Sequence, residues 1–262
     1  MMPQQKQIQQ PRQAVKGKVP VKPAVPGKQQ TTAKSSGSKA IIFDTGTLIS
    51  FSMAGLLQEL QGLRQIFKGK FLITEGVKKE LIDKPLTIKK FELEALRLKQ
   101  FLDDKVLELP DSYGITHDEI HKSADEILNV ANRTFQGRGK DLHVIDFGEA
   151  SALALSRILT NKGIDNAIAV DERTTRVLVE RPENLKKILG NKLHTQVTSR
   201  QENYKFFQGF KIIRSSELAY VAWKKGIVKL KGDMVLDALL YAVKFKGAAI
   251  SGDEIKEIKR LG

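Results

Sequence analysis

The chain has 262 residues, with 44 Lys or Arg against 30 Asp or Glu and a net charge of +14. It contains no cysteine, which excludes disulfides, thiolate metal sites and cysteine nucleophiles, and its 41% hydrophobic content rules out wholesale disorder. No apolar run approaches the roughly 18 residues of a membrane span, and no leader-like apolar stretch opens the chain, so a cytoplasmic protein with a polyanionic partner, nucleic acid first, is the expectation.

Residues 1–38 hold five of the eight prolines, eight glutamines and seven basic residues (Lys6, Arg12, Lys16, Lys18, Lys22, Lys28, Lys34), with no acid. This composition predicts a disordered basic tail that attaches to RNA or a ribosome by counterion release. Residues 39–262 read as one folded domain. Ala40–Phe43 is a short apolar strand ending in Asp44. Leu48 to Ile66 has helical spacing, weakened by Gly55 and Gly62. Phe71–Thr74 is a second strand, and Thr74 caps a helix through Ile82. A long amphipathic helix is expected over Leu86–Leu102, a third strand over Val106–Leu109, and a helix over Thr116–Phe135. Gln136–Lys140 is a basic turn, and Phe147–Leu159 a strongly apolar helix. Ala167–Val170 is a strand ending in Asp171, followed by a helix over Glu172–Val179. A last strand at Lys211–Ile213 precedes helices near 215–225, 233–245 and 253–260.

Short uninterrupted apolar strands alternating with helices predict an α/β fold with a parallel sheet covered on both faces. In such folds ligands sit at the carboxyl ends of the strands, where strand order reverses. Asp44 and Asp171 are placed there. Glu80 lies about one and a half turns into the helix after the second strand, and Glu149 in the first turn of the helix begun at Asp146. Four converging carboxylates repel one another, by about 1 kcal/mol per pair at 4 Å in water and about 4 at an effective dielectric of 20. A hard divalent cation, Mg²⁺ or Mn²⁺, removes that repulsion. Each residue also has a purely structural explanation. Asp146 and Glu149 fit a capping box, Asp171 fits a helix N-cap, and Glu80 fits a solvated helix face.

The four positions with their flanking residues resemble PIN-domain nucleases, particularly the toxin-like prokaryotic branch. The resemblance rests on Ile41-Ile-Phe-Asp-Thr-Gly-Thr-Leu48, Val77-Lys-Lys-Glu-Leu81, Phe147-Gly-Glu-Ala-Ser-Ala-Leu-Ala-Leu155 and Ala169-Val-Asp-Glu-Arg-Thr-Thr-Arg176. Val235-Leu-Asp-Ala-Leu-Leu240 followed by Ile250-Ser-Gly-Asp253 is also similar. It implies a three-layer α/β/α sandwich around a mostly five-stranded parallel sheet. It also implies a metal-dependent endoribonuclease in which Asp44, Glu80, Glu149 and Asp171 hold Mg²⁺ or Mn²⁺. Asp44 would be the central ligand. Thr45 would orient Asp44 or reach the scissile phosphate, and Arg173 or Arg176 would bind a substrate phosphate. The implied substrate is ribosomal, precursor or transfer RNA, with a ribosome, a protein partner or a second copy of the chain as further partners. The segments 86–140 and 182–210 are enlarged relative to the pattern, and the tail is foreign to a toxin.

Three other patterns compete. Phe43-Asp-Thr-Gly-Thr-Leu48 resembles the first motif of haloacid-dehalogenase-like phosphatases, but Gly46 stands where their second Asp is needed as acid and base. His117 and His121 have the spacing of a helical zinc pair without a third ligand, whereas Thr116 and Glu119 make a capping box. Tyr204–Phe210 interleaves aromatics with a lysine, a pattern that serves either base stacking or packing. An RNA-binding or ribosome-assembly factor without catalysis is the alternative function.

Overall fold

The computed structural model describes residues 38–261. The tail expected over residues 1–38 lies, except for its last residue, outside the described residues. Four parallel strands form the central sheet: β1 (Lys39–Phe43), β2 (Lys70–Leu72), β5 (Asp165–Ala169) and β7 (Ile212–Ile213), in the order β2-β1-β5-β7. A five-stranded sheet was the expectation. Its fifth member, the segment around Glu108, is reduced to one parallel bridge with Leu72 at the β2 edge. The Glu108 N–H donates to the Phe71 carbonyl (2.8 Å) and the Ile73 N–H to the Glu108 carbonyl (3.0 Å). Pro110, which has no N–H to donate, opens a 3₁₀ turn two residues later and ends the pairing.

Alternate side chains along each strand enter opposite cores, as the two-residue period of a strand requires. Phe43, Phe71, Ile73 and Ala169 pack with α1 (Thr45–Met53), α2 (Leu57–Ile66), α9 (Ser215–Lys224), α10 (Val235–Phe245) and α11 (Gly252–Arg260). Ala40, Ile42, Leu72, Ile168 and Val170 pack on the other face, with α5 (His117–Asn132), α6 (Phe147–Asn161), α7 (Arg173–Glu180) and α8 (Pro182–Leu193). A sheet buried on both faces explains why its strands are continuous apolar runs.

Several helices differ from expectation at their ends. The Leu48–Ile66 run divides into α1 and α2 at Gly55, whose φ of 74° is left-handed. After β2, Thr74 caps α3 (Glu75–Lys78) as expected, and the helix continues as a π-helical turn over Lys79–Asp83. The long helix expected from Leu86 begins only at Glu92, as α4 (Glu92–Asp103). Pro85 imposes a 3₁₀ turn ahead of it. The expected basic turn is the tip of a hairpin between β3 (Phe135–Gly137) and β4 (Lys140–Asp141), with Arg138 and Gly139 both at positive φ. β3 also pairs antiparallel with β6 (Val197–Ser199), so the two enlarged segments meet in a second, three-stranded sheet. The aromatics of Tyr204–Phe210 serve packing. Phe207 is buried, Tyr204 lies 6.1 Å from Phe135, and Phe206 is covered by the Arg157 guanidinium at 4.1 Å. No helix among the described residues is long and apolar enough to cross a membrane.

β5 is fastened to α6 by a buried amide. Asn166 Nδ2 donates to the Thr160 hydroxyl (3.0 Å) and the Ile164 carbonyl (3.0 Å), and Asn166 Oδ1 accepts from the Ser156 hydroxyl (2.6 Å). Asn166→Ala strands these groups in the interior and is expected to cost about 2–4 kcal/mol, measured by urea unfolding.

Candidate functional site

The chain leaves β1 toward β2 on one side and returns to β5 on the other, so strand order reverses between β1 and β5. Phe43 is level with Ala169 in the register, and the Asp44 N–H donates to the Ala169 carbonyl (3.0 Å). Asp44 and Asp171 therefore stand at the carboxyl ends of adjacent strands, on either side of the crevice where α/β folds bind ligands. Both are buried, 8% and 4% exposed.

Asp44 is the N-cap of α1, with Oδ2 accepting from the Gly46 N–H (3.2 Å). Burial pushes its carboxyl up to about 6, opposed by hydrogen bonds from the Gly46 and Thr45 backbone and reinforced by the charges of Glu80 and Asp171. Asp171 is not the N-cap of α7. Glu172 is, its side chain accepting from the Thr175 N–H (2.7 Å). That longer side chain reaches the Thr175 N–H, so the Asp171 carboxylate is not used to cap α7. There Asp171 Oδ1 accepts the Ser215 N–H (2.9 Å) at the start of α9, while Oδ2 is buried with no hydrogen-bond partner among the described residues.

Glu149 behaves as the capping box requires, accepting from the Asp146 N–H (2.5 Å). It is also part of the acidic group. Burial pushes its carboxyl up to about 7, with Asp44, Glu172 and Asp146 adding repulsion. Glu80 lies in the π-helical turn, exposed, and takes a hydrogen bond from the Thr45 hydroxyl at 2.6 Å. The Thr45 hydroxyl thus meets Glu80, while its backbone N–H meets Asp44. The four acids share one electrostatic neighbourhood at one end of the sheet. They are not drawn into a coordination shell: among the described residues no three His, Asp or Glu side chains are close enough to share a metal ion. The His117–His121 pair gains no third ligand. His121 pairs with Asp125 (3.2 Å) and lies 4.8 Å from the Phe147 ring, on a helix opened by the Thr116–Glu119 box.

Of the expected phosphate-binding arginines, Arg176 is tied to Glu254 (3.5 Å), and Arg173 is exposed at the start of α7. Glu254 also receives Arg214 (2.6 Å). Burial works against its charge, yet the Ser251 N–H and the Arg214 guanidinium hold its carboxyl down to about 2.

Asn132 carries no signal in the sequence but determines where α6 begins. Its Oδ1 accepts from the Val144 (2.6 Å) and Ile145 (3.1 Å) N–H groups, and its Nδ2 donates to the Ile145 carbonyl (3.1 Å). These bonds fix the segment that leads into Asp146 and Glu149. Asn132→Ala is expected to cost about 2–3 kcal/mol of stability. The loss is read by urea unfolding.

The fold and site define an α/β protein with two buried aspartates at the reversal of its parallel sheet and two further carboxylates beside them. No family model, no curated protein and no solved structure matches the chain.

Proposed function

We propose that the chain is a metal-dependent endoribonuclease using a PIN-like acidic site. The observation that carries this reading is the pair Asp44 and Asp171, buried on adjacent strand ends at the sheet reversal, with Asp171 Oδ2 left unpartnered. An ionised carboxylate without a partner in the interior is costly, and hard oxygen donors of this kind suit Mg²⁺ or Mn²⁺. Asp44 and Asp171 would hold the ion, with Glu149 and Glu80 reached directly or through water. When bound, such an ion supplies Lewis acidity to a phosphoryl group and makes water a better nucleophile at neutral pH.

The protein's own groups do the positioning. Glu172 takes over the helix cap and leaves Asp171 available, Ser215 fixes one Asp171 oxygen, and Thr45 holds Glu80 against α1. Arg173, exposed beside this edge, is suited to a substrate phosphate. The basic excess of 37 against 30 charges over residues 39–262 favours an RNA substrate near the acidic crevice. The test is incubation of full-length protein with labelled structured and single-stranded RNA in Mn²⁺, Mg²⁺ or EDTA, beside Asp44→Asn. Metal-dependent cleavage lost in the variant supports the reading. Equal binding without cleavage by both proteins rejects it.

The second reading, a noncatalytic RNA-binding or ribosome-assembly factor, is favoured by the unclosed carboxylate group. It predicts RNA binding that is indifferent to EDTA. A toxin role predicts growth arrest on expression, relieved by Asp44→Asn.

A further inference from the structure

A cleft of about 520 Å³ lies between α7, α8 and the segment that follows α10. Arg173 and Arg176 line it from α7, Arg181 from the joint between the helices, Asn184 and Ile188 from α8, and Ser251 from the far side. It adjoins the acidic crevice, because Ala249 on its wall donates its N–H to the Asp171 carbonyl (3.3 Å).

The guanidiniums are not equivalent. Arg176 is anchored by Glu254, which Arg214 also neutralises. Arg173 and Arg181 are exposed and make no ion pair or side-chain hydrogen bond among the described residues. Glu180 also lines the cleft. Three guanidiniums against Glu180 and Glu254 leave the lining with a net charge of +1, and Arg214 adds a further cation beside Glu254. Planar guanidinium forks match phosphate oxygens. The apolar edges of Val177, Ile188 and Ile250 supply a surface for a base or ribose, and the Asn184 amide offers both a donor and an acceptor to a base edge.

We infer that this cleft seats one nucleotide of a single-stranded RNA, adjacent to the bond placed at Asp44 and Asp171, with its phosphate on Arg173 and Arg181. The inference rests on the ribonuclease reading for what happens in the crevice, but not for the binding itself. A paired base has its edge occupied and its stack intact, so a duplex could not enter such a cleft.

The experiment measures fluorescence anisotropy of a short single-stranded RNA and of a duplex of the same sequence, with full-length Asp44→Asn as the cleavage-deficient parent. Arg181→Ala and Arg173→Ala, each added to that parent, are expected to weaken single-strand binding about tenfold. Each should also lower the salt slope by roughly one, with a much smaller change on the duplex. Asn184→Ala should change base preference without changing the salt slope. A methylphosphonate walked along the RNA should weaken binding at one position near the cleavage site, and Arg181→Ala should abolish that penalty. Melting curves confirm that each variant is folded.

Unchanged affinity and slope in both arginine variants would overturn the inference. So would equal losses on single strand and duplex, or absence of RNA binding by the parent. The two readings separate cleanly. Cleft variants that lose single-strand binding in a protein that never cleaves would retain the cleft and reject the nuclease. Metal-dependent cleavage with cleft variants binding like the parent would do the reverse.

Discussion

Asp44→Asn is expected to abolish cleavage while making the metal-free protein more stable. The loss of activity should be at least about a hundredfold, because the central acidic group of the crevice would no longer carry charge at any pH. The gain in stability follows from the folded state's dislike of that same charge. Burial lifts the Asp44 carboxyl from 3.8 to about 6, helped by Glu80 and Asp171. Below about pH 3 the acid is protonated whether the chain is folded or not, and it contributes no pH dependence. Between about 4 and 6 the unfolded chain releases its proton while the folded protein retains it, so stability falls as pH rises.

Above that window the penalty is complete, at about 3 kcal/mol. Asparagine does not titrate and still offers an oxygen to the Gly46 N–H that caps α1. At pH 4.5 the variant should therefore exceed the wild type in stability by only about 1 kcal/mol. In EDTA at pH 7.5 it should melt about 5–10 °C above it. Added Mn²⁺ should raise the wild-type melting temperature and leave the variant's unchanged. A variant less stable than the wild type at pH 7.5 in EDTA would show that Asp44 serves the fold alone.

The sheet was legible in the sequence where burial on both faces produced uninterrupted apolar runs, as at Ala40–Phe43 and Ala167–Val170. Two strands ending in Asp pointed to one edge, and the reversal between β1 and β5 makes those ends neighbours. What the residues alone left open is how the neighbours divide the hydrogen bonding. Asp171 read as a helix cap, and only the reach of Glu172 to the Thr175 N–H frees it. Thr45 read as a partner of Asp44 or phosphate, yet the π-helical turn brings Glu80 to its hydroxyl from a residue 35 positions away. The second sheet leaves no periodic signal in the sequence because its strands are two or three residues long and its partners β3 and β6 are far apart in the chain. The amphipathic pattern from Leu86 was overextended for a local reason, since the apolar residues before Glu92 belong to turns that Pro85 initiates. Asn132 was invisible because one polar residue at a helix end looks like any other until its three backbone partners are known.

Glu149 extends the titration argument from one carboxyl to two, and with it comes the steepest expected pH response. Its carboxyl is lifted from 4.5 to about 7, first by burial and then by the charges of Asp44, Glu172 and Asp146. Asp44 and Glu149 repel each other, so their protons belong to the pair and leave in two coupled steps between about pH 5 and 8. In the folded protein without metal, each released proton adds a charge that the unfolded chain bears more cheaply. Stability should therefore fall between the unfolded and folded values, from about pH 4 to about pH 7, by up to about 3 kcal/mol for each group.

A divalent cation reverses the sign. On the proposed reading such an ion would prefer the ionised carboxylates, so its binding at pH 6 is expected to expel between one and two protons, and apparent affinity to climb with pH. From pH 5.5 to 7.5 the Mn²⁺ affinity of the wild type should rise about a hundredfold. Calorimetry in buffers of different ionisation enthalpy should report the released protons directly. In Glu149→Gln the rise should shrink to about fourfold, because only Asp44 then titrates, while the Asp146 N–H can still find the amide oxygen. The metal-free Glu149→Gln protein should also lose part of the wild type's decline in melting temperature between about pH 4.5 and 7. An Mn²⁺ affinity that is flat across this range, or a wild type that grows more stable toward pH 8 in EDTA, would mean that the buried acids are satisfied without a cation. The acidic crevice would then be a structural feature of an RNA-binding protein.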